Sequence, residues 1–246
     1  MSLSVRVSGQ EGNGQYEKLQ CIVLDSTSQV DEVLCQFLAA YPDVGVVHRV
    51  SRKADPMLNS LACMEQVVVP EPFAENVGAI VQKIAEEAGE AAVGLSCAGC
   101  GENKGTDHNA VSKAVKAFAE GCRTGGVKHF LMALPQTMAA GTEQAPMANC
   151  EATVAKIGFV RTSMFYSDLS PPLLAMCGLV KPFSINSLAC SMAKDASMGL
   201  DLNHDGVLDA EELAARSGTI KFYEKEGEGG GMEAFAGAFA QQLQLL

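Results

Sequence analysis

The stretch Gln20–Val50, QCIVLDSTSQVDEVLCQFLAAYPDVGVVHRV, decides the fold. It opens on a short apolar run rich in β-branched residues, QCIVLDS, as a strand does. In QVDEVLCQFLAAY, Val30, Val33, Leu34, Phe37 and Leu38 fall on one stripe of a helix. Pro42 and Asp43 stop that helix, and VGVVHRV reads as a second strand. A helix of this length between two strands makes a β-α-β unit, whose right-handed crossover joins parallel strands.

The same rhythm continues downstream. MEQVVVP is a third strand and FAENVGAIVQKIAEEAG a helix with Phe73, Val77, Ile80, Val81 and Ile84 on one face. AAVGLSC, VKHFLMAL and FVRTSMF are further strands, separated by the helices HNAVSKAVKAFAEGCRTG and APMANCEATVAKIG. Strands alternating with amphipathic helices predict an α/β fold, a doubly wound, Rossmann-like parallel sheet covered on both faces. After Asp168 the pattern changes to turn-rich SPPLLAMCGLVKPF, helical SINSLACSMAKDASM and AEELAARS, strand-like TIKFYE, glycine-rich KEGEGGG and a final helix MEAFAGAFAQQLQL. The expected organisation is an N-terminal extension over 1–19, a Rossmann-like domain over 20–170, and a small, mostly helical C-terminal lobe over 171–246 packed on the sheet's carboxyl edge.

The totals narrow the function. At 246 residues, 48% hydrophobic and 19% charged, the chain reads as an ordinary globular protein able to bury a sizeable core. Its net charge of −11 disfavours nucleic acid as a partner and favours cations. No apolar run approaches the roughly 18 residues of a membrane span. MSLSVRVSGQEGNG lacks the basic start and apolar stretch of a secretory signal. Nine cysteines scattered among apolar segments read as reduced, mostly buried thiols, which places the chain in a cytoplasmic or other reducing compartment.

The most specific motif is DLNHDGVLDAEE, Asp201 to Glu212, which fits a twelve-residue EF-hand calcium loop. Asp201, Asn203 and Asp205 supply side-chain oxygens at positions 1, 3 and 5, and Gly206 permits the sharp turn at position 6. Val207 offers its carbonyl at position 7, Asp209 coordinates directly or through water at position 9, and Glu212 binds in bidentate mode at position 12. The alternative is an acidic helix start without an ion, with Asp209 as cap and Glu212 completing a capping box. EF-hands usually pair, and EKEGEGGGMEAF, with phenylalanine at its twelfth place, reads as a linker rather than a second loop. A lone loop predicts a structural or modulatory calcium site.

Three segments together, CIVLDSTSQVDEVLCQFLAAYPDVGVVHRVSRK, AVSKAVKAFAEGCRTGGVKHFLMALP and ATVAKIGFVRTSMFYSDL, resemble the atypical, NmrA-like branch of the short-chain dehydrogenase superfamily. The resemblance covers roughly Gln20 to Ser187 and is one of order and texture. It implies a dinucleotide-binding β-α-β at the start, an active-site edge after the fifth strand, and a substrate lobe after the sixth. It also implies NADP as cofactor, with Arg52 and Lys53 standing where relatives carry basic residues for a 2′-phosphate; the alternative is ordinary surface charge.

The departures from that pattern bear on chemistry. The family's first turn carries glycines so that backbone can approach a pyrophosphate. Here LDSTSQVDE has Asp25 at the first expected glycine, and Ser26, Thr27 and Ser28 offer only hydroxyls and a helix cap. GQEGNG (Gly9, Gly12, Gly14) precedes no helix and reads as a loop. Active relatives use a tyrosine with a lysine four residues on. None of Tyr16, Tyr41, Tyr166 and Tyr223 has one, and MALPQT lacks the serine found after the fifth strand. Cys97 and Cys100, in CAGC, could form a redox couple or half a zinc site, but no second such pair exists. His129 reads as structural. The leading expectation is a calcium-binding pseudoenzyme that regulates or joins a protein partner. The alternative is an NADP(H)-binding oxidoreductase or redox sensor, and a thiol redox protein is third.

Overall fold

The computed structural model describes residues 18–24, 29–61, 63–97, 107–135, 145–167, 185–198 and 218–223. In chain order the elements are β1 (Leu19–Leu24), α1 (Gln29–Ala40), β2 (Val44–Ser51), β3 (Met64–Val68), α2 (Phe73–Ala88), β4 (Ala92–Ser96), α3 (His108–Thr124), β5 (His129–Pro135), α4 (Ala145–Ile157), β6 (Arg161–Ser167), α5 (Ile185–Met198) and β7 (Gly218–Tyr223). Among the described residues the strands form one seven-stranded sheet in the order β3-β2-β1-β4-β5-β6-β7. Every neighbouring pair is parallel. The fold is therefore α/β, doubly wound and Rossmann-like, as the alternation predicts.

Why these strands are central follows from their side chains. Cys21, Ile22, Val23 and Leu24 are all buried, so β1 is apolar on both faces, as a strand at the middle of a parallel sheet must be. Ile22, Leu24, Phe130, Met132 and Leu134 pack beneath α2, α3 and α4. Cys21, Val23, Leu95, Leu131 and Ala133 pack beneath α1 and α5. Of the segment beyond residue 170, the described parts are α5 and β7, and both belong to this framework: α5 covers a face of the sheet beside α1, and β7 extends the sheet from β6.

One connection carries an element where the sequence reading assigns none. Between β2 and β3 stands a single short 3-10 helix, Pro56–Ser60, started by Asp55, whose carboxylate accepts the Met57 N–H at 2.9 Å. Its buried Leu58 replaces the apolar stripe of a full crossover helix.

The helices α2 and α3 approach until backbone meets backbone. A Cβ on Gly78 would stand 2.9 Å from the Ala117 carbonyl oxygen, and one on Gly121 would collide with the Gly78 carbonyl. Gly125 repeats the device against Gln82, with 2.6 Å to its carbonyl oxygen. Gly94 on β4 leaves the room that Phe130 fills, and Phe130 stacks on Phe159 at 4.9 Å. Because the obstacle at Gly121 is backbone, relief requires the helices to separate. Gly121→Ala is expected to lower the unfolding free energy by about 1–3 kcal/mol, despite the better helix propensity of alanine, as read by urea denaturation. An unchanged midpoint would show that the two helices have slack.

Candidate functional site

In a doubly wound sheet, ligands lie outside the carboxyl ends of the strands where the strand order reverses. Here the reversal falls between β1 and β4. The described residues at this crest are Leu24, Ser51, Arg52, Lys53, Ser96 and Cys97. Asp25, Ser26, Thr27 and Ser28, the turn into α1, lie outside the described residues.

The best-defined part of the crest is the end of β2. The Ser51 hydroxyl donates to the Lys53 carbonyl at 2.8 Å, and the Arg49 guanidinium donates to the same carbonyl at 3.3 Å. Arg49 also donates to Gln66 Oε1 at 2.9 Å, while the Gln66 amide donates to the Asp55 carbonyl and to Asn59 Oδ1, both at 2.6 Å. These bonds tie the turn after β2 to β3, and they leave Arg52 and Lys53 exposed at the crest. The Arg52 guanidinium lies over the Phe73 ring at 5.0 Å, a cation–π contact that fixes its plane.

The first turn of α1 has the opposite character. It carries Asp31, fully buried, and Glu32. Carboxylates there are favoured by the positive end of the helix, which in dinucleotide sites is the place of the pyrophosphate. The described residues thus fit the adenosine-phosphate end of a dinucleotide, through Arg52 and Lys53, better than its pyrophosphate.

The cysteine and tyrosine candidates divide. Cys97 is buried, its Sγ 3.5 Å from Met192 Sδ, while Cys100 lies outside the described residues. Cys21, Cys35, Cys122, Cys150 and Cys190 are buried too, and no disulfide joins any described pair. Burial pushes the Cys150 thiol up to about 11, and those of Cys21 and Cys122 higher still. Such thiols are poor nucleophiles at neutral pH. Tyr41 is pushed up to about 12 by burial and by the nearby Cys190, a direction opposite to the activation a general acid needs. Tyr16 and the loop residues Asp201, Asn203, Asp205, Val207, Asp209 and Glu212 lie outside the described residues. Among the described residues no three His, Cys, Asp or Glu side chains stand together as a metal site.

Two polar clusters lie at the other, amino end of the sheet. On the α2 face, His48 bonds Gln20 Oε1 at 3.1 Å and faces Glu65 Oε2 at 3.1 Å. Burial lowers its pKa against the pull of Glu65 and Glu87. On the α5 face, His129 Nε2 is 3.0 Å from Ser163 Oγ and 3.4 Å from Asp195 Oδ2, while Arg161 pairs with Asp195 Oδ1. A serine, a histidine and an aspartate together suggest a triad, but both partners meet the same imidazole nitrogen and His129 is fully buried. No relay can run through that geometry. The cluster anchors α5, and it was readable in part: Asp195 falls on the stripe of Leu188 and Met192, where an apolar residue belongs.

Burial opposes the charge on Asp195, yet His129, Arg161 and Ser163 outweigh it and lower its pKa. The unfolded chain therefore takes up this proton first as pH falls. The stabilisation is complete above about pH 4 and is lost below it, as the pH passes through the lowered folded value. Asp195→Asn is expected to cost about 3–5 kcal/mol at neutral pH, since it leaves Arg161 charged, buried and without its carboxylate. Its unfolding free energy should also fall less steeply below pH 4 than that of the wild type. Parallel acid limbs in urea titrations would show that the pair does not bear on stability.

No helix among the described residues is long and apolar enough to cross a membrane. No family model matches the chain, and no curated protein matches it. Solved structures do. The Cj0485 dehydrogenase shares 13% identity over 85% of this chain and 94% of its own, with a TM-score of 0.54. The triphenylmethane reductase of Citrobacter sp., complexed with NADP(H), shares 12% over 90% and 89%, with a TM-score of 0.54. A metagenomic short-chain oxidoreductase in complex with NADP shares 12% over 85% and 99%, with a TM-score of 0.51. At these identities the likeness is one of fold: the chain shares the Rossmann-like architecture of these dehydrogenases and reductases.

Proposed function

We propose that this chain binds a nicotinamide dinucleotide, NADP(H), at the carboxyl edge of its sheet, and that it reads the ligand rather than turning it over. The observation that carries the reading is the turn after β2. Ser51, Arg49 and Gln66 hold its backbone, and Arg52 and Lys53 present two cations at the position where an arginine accommodates a 2′-phosphate in this architecture. The NADP and NADP(H) held by two structures of like fold support the same ligand class.

When bound, the dinucleotide would supply hydride chemistry. What this chain's residues contribute is narrower. Arg52 and Lys53 would bind the phosphate, and the stack of Arg52 on Phe73 would orient it. None of the four tyrosines is followed by a lysine at the fourth place, and α4, the helix leading into β6, contains no tyrosine. That supports a sensor or accessory protein over a reductase, with a protein partner as the receiver of the signal. Calorimetric titration of metal-free protein should show NADPH binding that weakens at least about tenfold when Arg52 and Lys53 are both replaced by alanine, the scale of one lost charge-assisted hydrogen bond. Absence of NADPH binding up to millimolar concentration would refute the reading.

A second reading rests on Asp201–Glu212. Side-chain or carbonyl oxygens stand at every coordinating position of the twelve-residue calcium rule, from Asp201, Asn203, Asp205, Val207, Asp209 and Glu212, with Gly206 at the turn. We propose that this loop binds one calcium ion and modulates the C-terminal segment. Calcium titration of the same sample should give a one-site isotherm that Glu212→Gln weakens by an order of magnitude or more, since the bidentate ligand becomes neutral. Equal isotherms for the two proteins would remove the assignment.

A further inference from the structure

Arg52 already has an anion. Its Nε lies 3.5 Å from Glu71 Oε1, on the connection between β3 and α2. Glu71 is itself held: its Oε2 accepts the backbone N–H of Phe73, the first residue of α2, at 2.8 Å. A carboxylate at that helix start is also favoured by the helix dipole. The same short segment therefore supplies both partners of Arg52, the Phe73 ring beneath its plane and the Glu71 carboxylate beside it. Both charged side chains are exposed, Arg52 by 44% and Glu71 by 71%, so water screens the pair and a stronger anion can displace it.

We infer that Glu71 is a specificity-determining residue, an internal competitor that holds down the preference for a 2′-phosphorylated dinucleotide over its unphosphorylated counterpart. The inference rests on the dinucleotide reading above and goes beyond it. A phosphate monoester arriving at Arg52 must break the pair with Glu71 and then lie beside a carboxylate of like charge. A ribose carrying a free 2′-hydroxyl meets Glu71 as an acceptor instead, the role an acidic residue plays near this position in dinucleotide sites. Both effects act in one direction. Lys53, exposed next to Arg52, favours the phosphate whatever Glu71 does, so Glu71 adjusts the selectivity rather than reversing it.

The test compares NADPH with NADH on the full chain, with 2′,5′-ADP and 5′-ADP as probes of the adenosine end. In Glu71→Gln the amide oxygen still accepts the Phe73 N–H, but the charge is gone. The ratio of NADPH to NADH affinity should rise about three- to tenfold, the range for releasing an exposed pair together with a like-charge contact. Glu71→Ser, which keeps a capping oxygen for α2, should move the ratio the same way. Adding Arg52→Gln to either variant should reduce the gain, since the part that comes from freeing Arg52 of its pair is lost. A ratio that is unchanged or lowered in both variants, with either dinucleotide still bound, overturns this inference and leaves the dinucleotide reading standing. If neither dinucleotide binds wild type or variant, the dinucleotide reading falls and this inference falls with it.

Discussion

A parallel sheet has two faces to hide, and most of this molecule follows from hiding them. On β1 and β5 successive residues are apolar, with Ile22, Leu24, Phe130 and Met132 on one face and Cys21, Val23, Leu131 and Ala133 on the other. Such strands cannot sit at a solvent boundary without exposing a row of large side chains, at a cost of about 25 cal/mol for each Å² of apolar area. One helical layer is therefore insufficient. The first face receives α2, α3 and α4, packed so closely that glycine is required where α2 and α3 touch. The second receives α1 beside the switch point and α5 over the other half. Without α5, Leu131, Ala133 and Phe165 would lose much of their cover.

Burying that second face creates the internal electrostatics. β5 and β6 begin with His129 and Arg161, and Arg161 and Ser163 turn toward the α5 layer. A guanidinium there requires a carboxylate, and Asp195 provides one. Buried ion pairs often add little to stability compared with apolar packing, because desolvation offsets attraction. Their use here is positional. The apolar stripe of α5 would tolerate a slide along the helix axis, whereas a pair between Asp195 and Arg161, with His129 and Ser163 on the same carboxylate, permits one register.

The periodicities of the sequence carried the described strands and helices, because alternation and stripes are local properties; the expected helices AEELAARS and MEAFAGAFAQQLQL lie outside the described residues. Two features were not local. The TIKFYE segment reads as a strand, yet nothing within it says that it pairs with β6; sheet order is decided by which uncovered edge the chain can reach. The link between β2 and β3 was silent for a related reason, since a single buried Leu58 leaves no stripe to detect. At the crest, Arg52 and Lys53 were legible as cations at the end of a strand. Glu71 was not, because it meets Arg52 only once β3 has paired with β2 and brought the start of α2 alongside. The candidate calcium ligands between Asp201 and Glu212 lie outside the described residues, and their assignment rests on spacing alone.

The two ends of the sheet therefore differ in what their charges can do. At the amino end, Arg161 and Asp195 neutralise each other in the interior, with His129 against the same carboxylate, and a change of partner there would strand a buried charge. At the carboxyl end, Arg52, Lys53 and Glu71 stand in water, where partners exchange cheaply. The net charge of −11 sharpens the point. At a distance the molecule repels phosphates, and at physiological ionic strength that field decays over about 8 Å. On the proposed reading, a phosphate would be attracted only within contact range of Arg52 and Lys53, where no long-range steering dilutes the influence of one neighbouring carboxylate. In a basic protein Glu71 would be one small term in a large attractive field, whereas here, on the proposed reading, it would weigh directly against Arg52 and Lys53.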